Sequence, residues 1–215
     1  MKIKICGIKY KDNLEQIIPL NPDYLGFIFY PKSSRYMKET LAVADVKSIP
    51  NQIKKVGVFV NESVPELLKA IKEYDLNAVQ LHGDEPPEYL ADVSNIFTSL
   101  NMKVDIIKAF GIDENFELQK LNDYKQYCNF FLFDTKTPKY GGSGQKFNWQ
   151  LLAKYDNEIP LLISGGIDVE DLEDIAKLKH LNIEVIDMNS KLEIEPGRKN
   201  INRVEQAIQI VKNKS

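Results

Sequence analysis

The feature that most constrains the fold is a regular alternation of short apolar segments with amphipathic ones along 215 residues. Eight runs rich in β-branched and aromatic residues predict strands at Ile3–Cys6, Tyr24–Phe29, Val56–Val60, Ala78–Leu81, Val104–Ala109, Phe130–Phe133, Leu161–Ile163 and Val185–Ile186. Two of the intervening segments show apolar residues at helical spacing, namely Leu67, Leu68, Ile71 and Tyr74, and Leu172, Ile175, Ala176 and Leu178. Strands that alternate with helices form parallel βα units. Eight such units in a chain of this length predict a single (β/α)8 barrel over residues 1–215 rather than an open doubly wound sheet.

Charge and cysteine content exclude several classes of protein. The chain has 28 basic and 31 acidic residues, a net charge of −3, so no overall field attracts nucleic acid. The two cysteines, Cys6 and Cys128, do not form the framework of a secreted disulfide-rich domain. No run approaches the length of a membrane span, and the start of the chain lacks the pattern of a signal peptide. We therefore expect a cytoplasmic protein with no nucleic-acid or membrane partner.

In a (β/α)8 barrel the active site lies at the carboxyl ends of the strands. Polar residues and glycines concentrate at those ends here, and the first predicted strand ends in Cys6-Gly7. A free cysteine is most often a small buried hydrophobic residue. The residues at the other strand ends therefore decide whether this thiol has a chemical role.

The ends of strands seven and eight indicate a phosphate site. Gly165 and Gly166 follow an apolar strand, and Asn189 and Ser190 follow the next. Backbone N–H groups of such loops bind anions, and many barrels hold a phosphate in these two loops. The alternative is that the glycines only form a tight turn.

Three further residues at strand ends are candidates for chemistry. Asp134 follows a buried strand and is a candidate general acid, or else a helix cap or a partner of Lys136. Arg35 lies in a hydroxyl-rich loop and is suited to a carboxylate, although most lone arginines are solvated. His82 can titrate near neutrality or act as a hydrogen-bonded spacer. With the second histidine, His180, predicted in a helix, a histidine metal site is not expected. Without a P-loop or dinucleotide fingerprint we expect no cofactor, and the phosphate belongs to the substrate.

Several segments together resemble the phosphoribosylanthranilate isomerases of tryptophan biosynthesis. They occur in the family's order across nearly the whole chain: Lys4-Ile5-Cys6-Gly7, Gly26-Phe27-Ile28-Phe29, Ser33-Ser34-Arg35-Tyr36, Val56-Gly57-Val58-Phe59-Val60-Asn61, Val79-Gln80-Leu81-His82-Gly83, Phe133-Asp134-Thr135, Gly141-Gly142-Ser143-Gly144 with Phe147 and Trp149, Ser164-Gly165-Gly166, and Glu195-Pro196-Gly197. Each segment is weak evidence alone, but their order and spacing are highly specific.

The resemblance implies an Amadori rearrangement of N-(5′-phosphoribosyl)anthranilate to 1-(2-carboxyphenylamino)-1-deoxyribulose 5-phosphate. A general acid protonates the furanose oxygen, the ring opens to an iminium ion, and a general base removes the proton from C2′. The resulting enolamine tautomerises to the ketone. By similarity Asp134 is the acid and Cys6 the base, without a covalent intermediate.

The same resemblance assigns the binding residues. Arg35 corresponds to the residue that binds the anthranilate carboxylate, and Gln80 and His82 are further candidates for substrate binding. Gly165, Gly166, Asn189 and Ser190 align with the phosphate loops. The loop from Lys136 to Phe147 would be a mobile lid.

This chain departs from the family pattern at three places and leaves two alternatives. Lys191 stands where a glycine is usual, and Asn148 and Asn200 each replace an aspartate. One alternative is the related histidine-pathway isomerase, but that chemistry uses two aspartates and Cys6 occupies the first of these positions. The other is a non-catalytic barrel that binds a phosphorylated ligand, which would have no reason to retain both an acid and a base. The sequence leaves open whether the protein is a monomer or a homodimer.

Overall fold

Eight parallel strands pair in chain order, and the last pairs with the first to close a barrel. The computed structural model describes residues 1–135, 152 and 154–213. The strands are β1 Lys2–Ile5, β2 Tyr24–Ile28, β3 Lys54–Phe59, β4 Ala78–Leu81, β5 Asp105–Ile112, β6 Phe130–Thr135, β7 Leu161–Ile163 and β8 Ile183–Met188. The predicted (β/α)8 barrel is therefore confirmed.

Helices cover the outside of the barrel. They are α1 Lys11–Ile17, α2 Val43–Lys47, α3 Val64–Tyr74, α4 Pro87–Ser99, α5 Leu172–Ile175 and α6 Ile201–Lys212. Between β5 and β6 the described helices are the 3-10 segments Leu118–Asp123 and Lys125–Tyr127. After β8 a two-stranded antiparallel hairpin, β9 Glu193–Glu195 and β10 Arg198–Lys199, precedes α6.

The helix predicted after β7 is shorter than its apolar pattern indicated. Only Leu172–Ile175 is α-helical, and the chain continues through turns in which the Leu178 N–H donates to the Ile175 carbonyl. The residues Leu172, Ile175 and Leu178 are spaced by three, which is the repeat of a 3-10 helix. His180, which we predicted to be helical, lies in an exposed turn instead.

Side chains along each barrel strand alternate between the interior and the helices. The buried apolar side chains inside the barrel are Tyr24, Val56, Ala78, Ile107, Ala109, Leu132, Leu162 and Val185. The next inward positions toward the carboxyl ends are two residues further along. The inward residues that follow Ala78, Leu132 and Val185 are Gln80, Asp134 and Asp187. Polar side chains therefore lie directly above these apolar ones.

Two further sequence predictions are that no segment spans the membrane and that a lid follows β6. No helix among the described residues is long and apolar enough to cross a membrane. The predicted lid between Lys136 and Phe147, and the Asn148 and Trp149 positions, lie outside the described residues.

Candidate active site

A pocket opens at the carboxyl ends of the strands. Eight of the predicted site residues line it: Cys6, Gln80, His82, Asp134, Gly165, Gly166, Asn189 and Ser190. They come from the ends of five different strands, and the barrel closure brings them together. Ser164, Tyr30 and Ser33 line it as well.

Cys6 lies immediately after β1 and is almost fully buried, at 4% exposure. Its backbone N–H donates to the Met188 carbonyl at 2.9 Å, which extends the pairing of β1 with β8. Its neighbour on β2 is Gly26, where a Cβ atom would lie only 2.7 Å from the Cys6 Sγ. A glycine at this position therefore makes the space that the thiol occupies.

A buried polar layer lies below the thiol inside the barrel. The Lys4 side chain is fully buried, and its Nζ donates to Asp187 Oδ1 and to Gln80 Oε1, each at 2.9 Å. Burial works against the Lys4 ammonium, but the Lys4 pKa is raised overall, and the Asp187 carboxylate is the largest of the causes that raise it. Lys4 therefore stays charged at neutral pH.

The pKa of the Cys6 thiol is raised above its ordinary value. Burial is the main cause and Asp187 adds to it, while the ammonium groups of Lys4 and Lys199 oppose it. The net result is a neutral thiol in the unliganded protein at neutral pH. The desolvation of the buried thiol exceeds the attraction of the two lysines.

His82 is oriented by the same polar layer. The Gln80 side-chain oxygen accepts from Lys4, so its amide NH₂ faces His82 Nδ1 at 2.8 Å. A neutral imidazole that accepts at Nδ1 has its proton on Nε2. Nε2 lies 3.5 Å from Asp134 Oδ2. A chain of polar contacts therefore runs from Lys4, beside Cys6, to Asp134 on the opposite side of the barrel.

The two loops predicted to bind phosphate face the same pocket. Gly165 and Gly166 have φ angles of 101° and 62°, a left-handed conformation that side chains disfavour. Ser190 begins a 3-10 turn that ends at Leu192. Lys191, which replaces the usual glycine, is half-buried in this turn and is not part of the pocket lining.

Arg35 lies beside the pocket lining and is held by a carboxylate. Its Nε and Nη2 donate to Glu193 Oε1 and Oε2 at 2.8 and 2.6 Å. This bidentate contact uses two of the five N–H donors of the guanidinium, so three are not engaged by Glu193. A Cβ atom at Gly7 would lie 2.9 Å from Arg35 Cδ, which places the arginine against the loop that carries Cys6.

Lys199 joins the arginine to the loop after β8. Its Nζ donates to Glu193 Oε1 at 2.9 Å and to Asn189 Oδ1 at 2.7 Å. Burial lowers the pKa of Lys199 to about 8, although Glu193 opposes this. Burial would raise the pKa of Glu193, but Arg35 and Lys199 together hold it below its ordinary value. The carboxylate is therefore ionised and fixes both cations.

Sequence reasoning missed Lys4, Asp187, Glu193 and Lys199. The period of two along a strand would have revealed the first two, because Lys4 shares an inward face with Cys6, and Asp187 shares one with Asn189. Glu193 lies 158 positions from its partner Arg35. No local pattern in the sequence predicts such a contact.

The fold and this pocket define a (β/α)8-barrel protein whose candidate site occupies the usual place for the class, the carboxyl end of the strands. Residues 3–210 match the sequence model of the N-(5′-phosphoribosyl)anthranilate (PRA) isomerase family. The chain belongs to this family, whose members are aldose–ketose isomerases of tryptophan biosynthesis.

Individual relatives agree with the family assignment. The N-(5′-phosphoribosyl)anthranilate isomerase of Parabacteroides distasonis is 38% identical over 97% of this chain and 92% of its own length. The crystal structure of the enzyme from Thermotoga maritima is 32% identical, covers 99% of both chains and has a TM-score of 0.83. A third relative, a complex with reduced 1-(o-carboxyphenylamino)-1-deoxyribulose 5-phosphate, is 28% identical, with 99% coverage of both chains and a TM-score of 0.80.

Proposed function

We propose that this chain carries out its family's isomerisation with Cys6 as the general base and Asp134 as the general acid. The observation that supports this assignment is that both side chains line one pocket. Their strands, β1 and β6, lie on different sides of the barrel, so a sugar ring placed between them meets an acid on one face and a base on the other. General acid–base catalysis requires this arrangement.

The proposed reaction proceeds through two proton transfers that involve these side chains. Asp134 in its protonated form donates to the furanose oxygen, and the C1′–O bond breaks to give the iminium ion. The Cys6 thiolate then removes the proton from C2′, and the C–H electron pair forms the enolamine double bond. Tautomerisation of the enolamine yields the ketone. No metal or cofactor takes part in this scheme.

The Cys6 thiol must first release its proton to the solvent, since only the thiolate can accept the C2′ proton. Burial favours the neutral thiol in the unliganded site. The iminium ion places a positive charge beside Cys6 at the step that needs the thiolate, and an adjacent cation favours the ionised form. The base is therefore activated by the intermediate on which it acts.

The substrate is held at its two anionic ends. The ligand of the related complex carries a carboxylate on its aromatic ring and a phosphate on its sugar chain. We assign the phosphate to Gly165, Gly166, Asn189 and Ser190, and the carboxylate to the N–H donors of Arg35 that Glu193 does not use. In this pose Gln80 and His82 face the sugar.

Steady-state turnover of N-(5′-phosphoribosyl)anthranilate tests the assignment. We expect Cys6→Ser and Asp134→Asn each to lower kcat by about 10²–10⁴-fold, the usual contribution of a positioned acid or base. Cys128→Ser is the matched control and should retain normal turnover. Near-normal kcat in either site variant would refute the corresponding role, and an inactive wild type would refute the function.

Assembly and location are further parts of the proposal. A related Thermotoga maritima enzyme is described as dimeric, and we propose that this chain is a monomer or a homodimer, which light scattering distinguishes. The biosynthetic role supports a cytoplasmic location.

A further inference from the structure

Lys4 is a charged side chain in the interior of a barrel, and the reaction scheme above gives it no role. It lies two residues before Cys6 on the same strand, so both side chains point inward. Its side chain has 0% exposure. An isolated ammonium at such a depth is strongly disfavoured, so its surroundings must keep it charged.

Two of the three N–H donors of Lys4 have acceptors at its own level of the barrel. Asp187 Oδ1 and Gln80 Oε1 each accept one at 2.9 Å. The Cys6 thiol is the next inward group on the same strand, toward the carboxyl end. An ammonium held from two sides has little freedom to move, so its charge is fixed one inward position before the Cys6 side chain.

We infer that Lys4 is a positioning residue whose ammonium, held by Asp187 and Gln80, stabilises the thiolate of Cys6 during proton abstraction. This inference rests on the proposed role of Cys6 as the general base. Lys4 does not touch the reacting carbon, and acts through the sulfur by donating a hydrogen bond to it when it is ionised. A hydrogen bond to the charged form of a group, like a nearby opposite charge, favours that form.

The other charged groups around the thiol fit this arrangement. Asp187 on β8 favours the neutral thiol, and Lys199 after the β9–β10 turn favours the thiolate. Arg35, in the loop after β2, is a third cation that interacts electrostatically with the ionised form of Cys6. Of the groups that favour the thiolate, Lys4 has the largest influence.

The test is the pH dependence of Cys6 alkylation by iodoacetamide in a Cys128→Ser background, where Cys6 is the only thiol. Only the thiolate reacts, and no substrate is present. We expect Lys4→Met to react about tenfold or more slowly than the parent near pH 8, with its profile displaced to higher pH, since loss of an adjacent opposite charge typically changes a pKa by about 1–3 units. Mass spectrometry confirms the modified site.

The double variant Lys4→Met/Asp187→Asn keeps the experiment informative if the single variant does not fold. Replacing both members of a buried ion pair is tolerated better than removing one. Since Lys4 affects the thiol more than Asp187 does, we expect reactivity in the order parent, double variant, Lys4→Met. A parent-like alkylation profile in the double variant, or in a folded Lys4→Met protein, would overturn the inference.

Turnover measurements separate this inference from the proposed function. If Cys6 is the base and Lys4 stabilises its thiolate, Lys4→Met lowers kcat more than it raises KM, and the loss is smaller at high pH. If the alkylation profile shifts as expected but Cys6→Ser remains active, the electrostatic effect stands and the catalytic role of Cys6 fails.

Discussion

Gly26 sets the position of the proposed base, and Gly26→Ala tests this directly. The added Cβ atom would lie 2.7 Å from Cys6 Sγ, 3.1 Å from its Cα and 3.2 Å from its Cβ. Heavy atoms in ordinary contact are about 3.5–4.0 Å apart, so the sulfur must move by about 1 Å. The Cys6 backbone is itself close to the new atom and is fixed by its hydrogen bond to Met188. The side chain therefore cannot retreat without moving the strand.

Two consequences with different magnitudes follow from this steric conflict. Overpacking of a filled interior costs about 1–3 kcal/mol of unfolding free energy. A catalytic group that is misplaced by about 1 Å can lose about 10²-fold in rate. We expect Gly26→Ala to show both effects, the first in urea denaturation and the second in steady-state kcat.

Gly57→Ala provides the matched control. A Cβ atom at Gly57 would meet Leu76 Cδ1 and Phe59 Cε2, each at 2.6 Å, on the side of β3 that faces the helices. The steric conflict is as severe as at Gly26 but does not involve the pocket. We expect a comparable loss of stability with kcat within about twofold of the wild type, because catalysis depends on the geometry of the reacting groups. A normal kcat in Gly26→Ala, or an equal loss in Gly57→Ala, would refute the reasoning.

Three other predictions concern ion pairs. Glu193→Gln removes the carboxylate that orients Arg35. We expect KM to rise by about tenfold with little change in kcat, because charge-assisted hydrogen bonds contribute about 1.5–3 kcal/mol. An unchanged KM would argue against a binding role for this arginine. Lys108→Met leaves the buried Glu85, its partner at 2.8 Å, without a countercharge, and should lower the unfolding free energy by about 3–5 kcal/mol. Urea titration measures this loss, and Lys108→Met/Glu85→Gln should recover part of it. The folded pKa of Lys199, about 8, lies below its ordinary value of 10.5. Between about pH 8 and pH 10.5 the unfolded chain therefore binds more protons at Lys199 than the folded protein does. As the pH rises through this range, the wild type should gain stability relative to Lys199→Met by up to about 1.4 kcal/mol per pH unit. A constant difference in stability would show that this amine does not titrate there.

The barrel was predictable because its strands are buried on both faces. Such strands appear as continuous apolar runs, and β4 and β7 have the predicted boundaries, Ala78–Leu81 and Leu161–Ile163. The segment after β7 was less predictable, because apolar residues three apart fit both an α-helix and a 3-10 helix over a single turn. Hydrogen bonds, which the pattern does not record, decide between the two.

The site was predictable where its residues follow strands directly. The carboxyl ends of parallel strands converge in a barrel, so Cys6, Asp134 and Gly165 could be placed together without any knowledge of contacts. Lys4 was missed for the opposite reason. A lysine in the first strand of a chain is usually solvated, and only closure of the barrel by β8 brings Asp187 beside it.

The strand period explains why the charge of Lys4 and the thiol of Cys6 occur together. Inward positions on β1 are two residues apart, so the residue below a group at the mouth of the barrel is always the one two positions earlier in the chain. An apolar residue at position 4 would leave burial and Asp187, which both favour the neutral thiol, opposed by Lys199 without the larger contribution of Lys4. A lysine there reverses part of that effect, and its own charge is retained because β4 and β8 contribute Gln80 and Asp187 at the same level. The position of the proposed base therefore depends on β2 through Gly26, and the inferred stabilisation of its thiolate depends on β8 and β4 through the partners of Lys4.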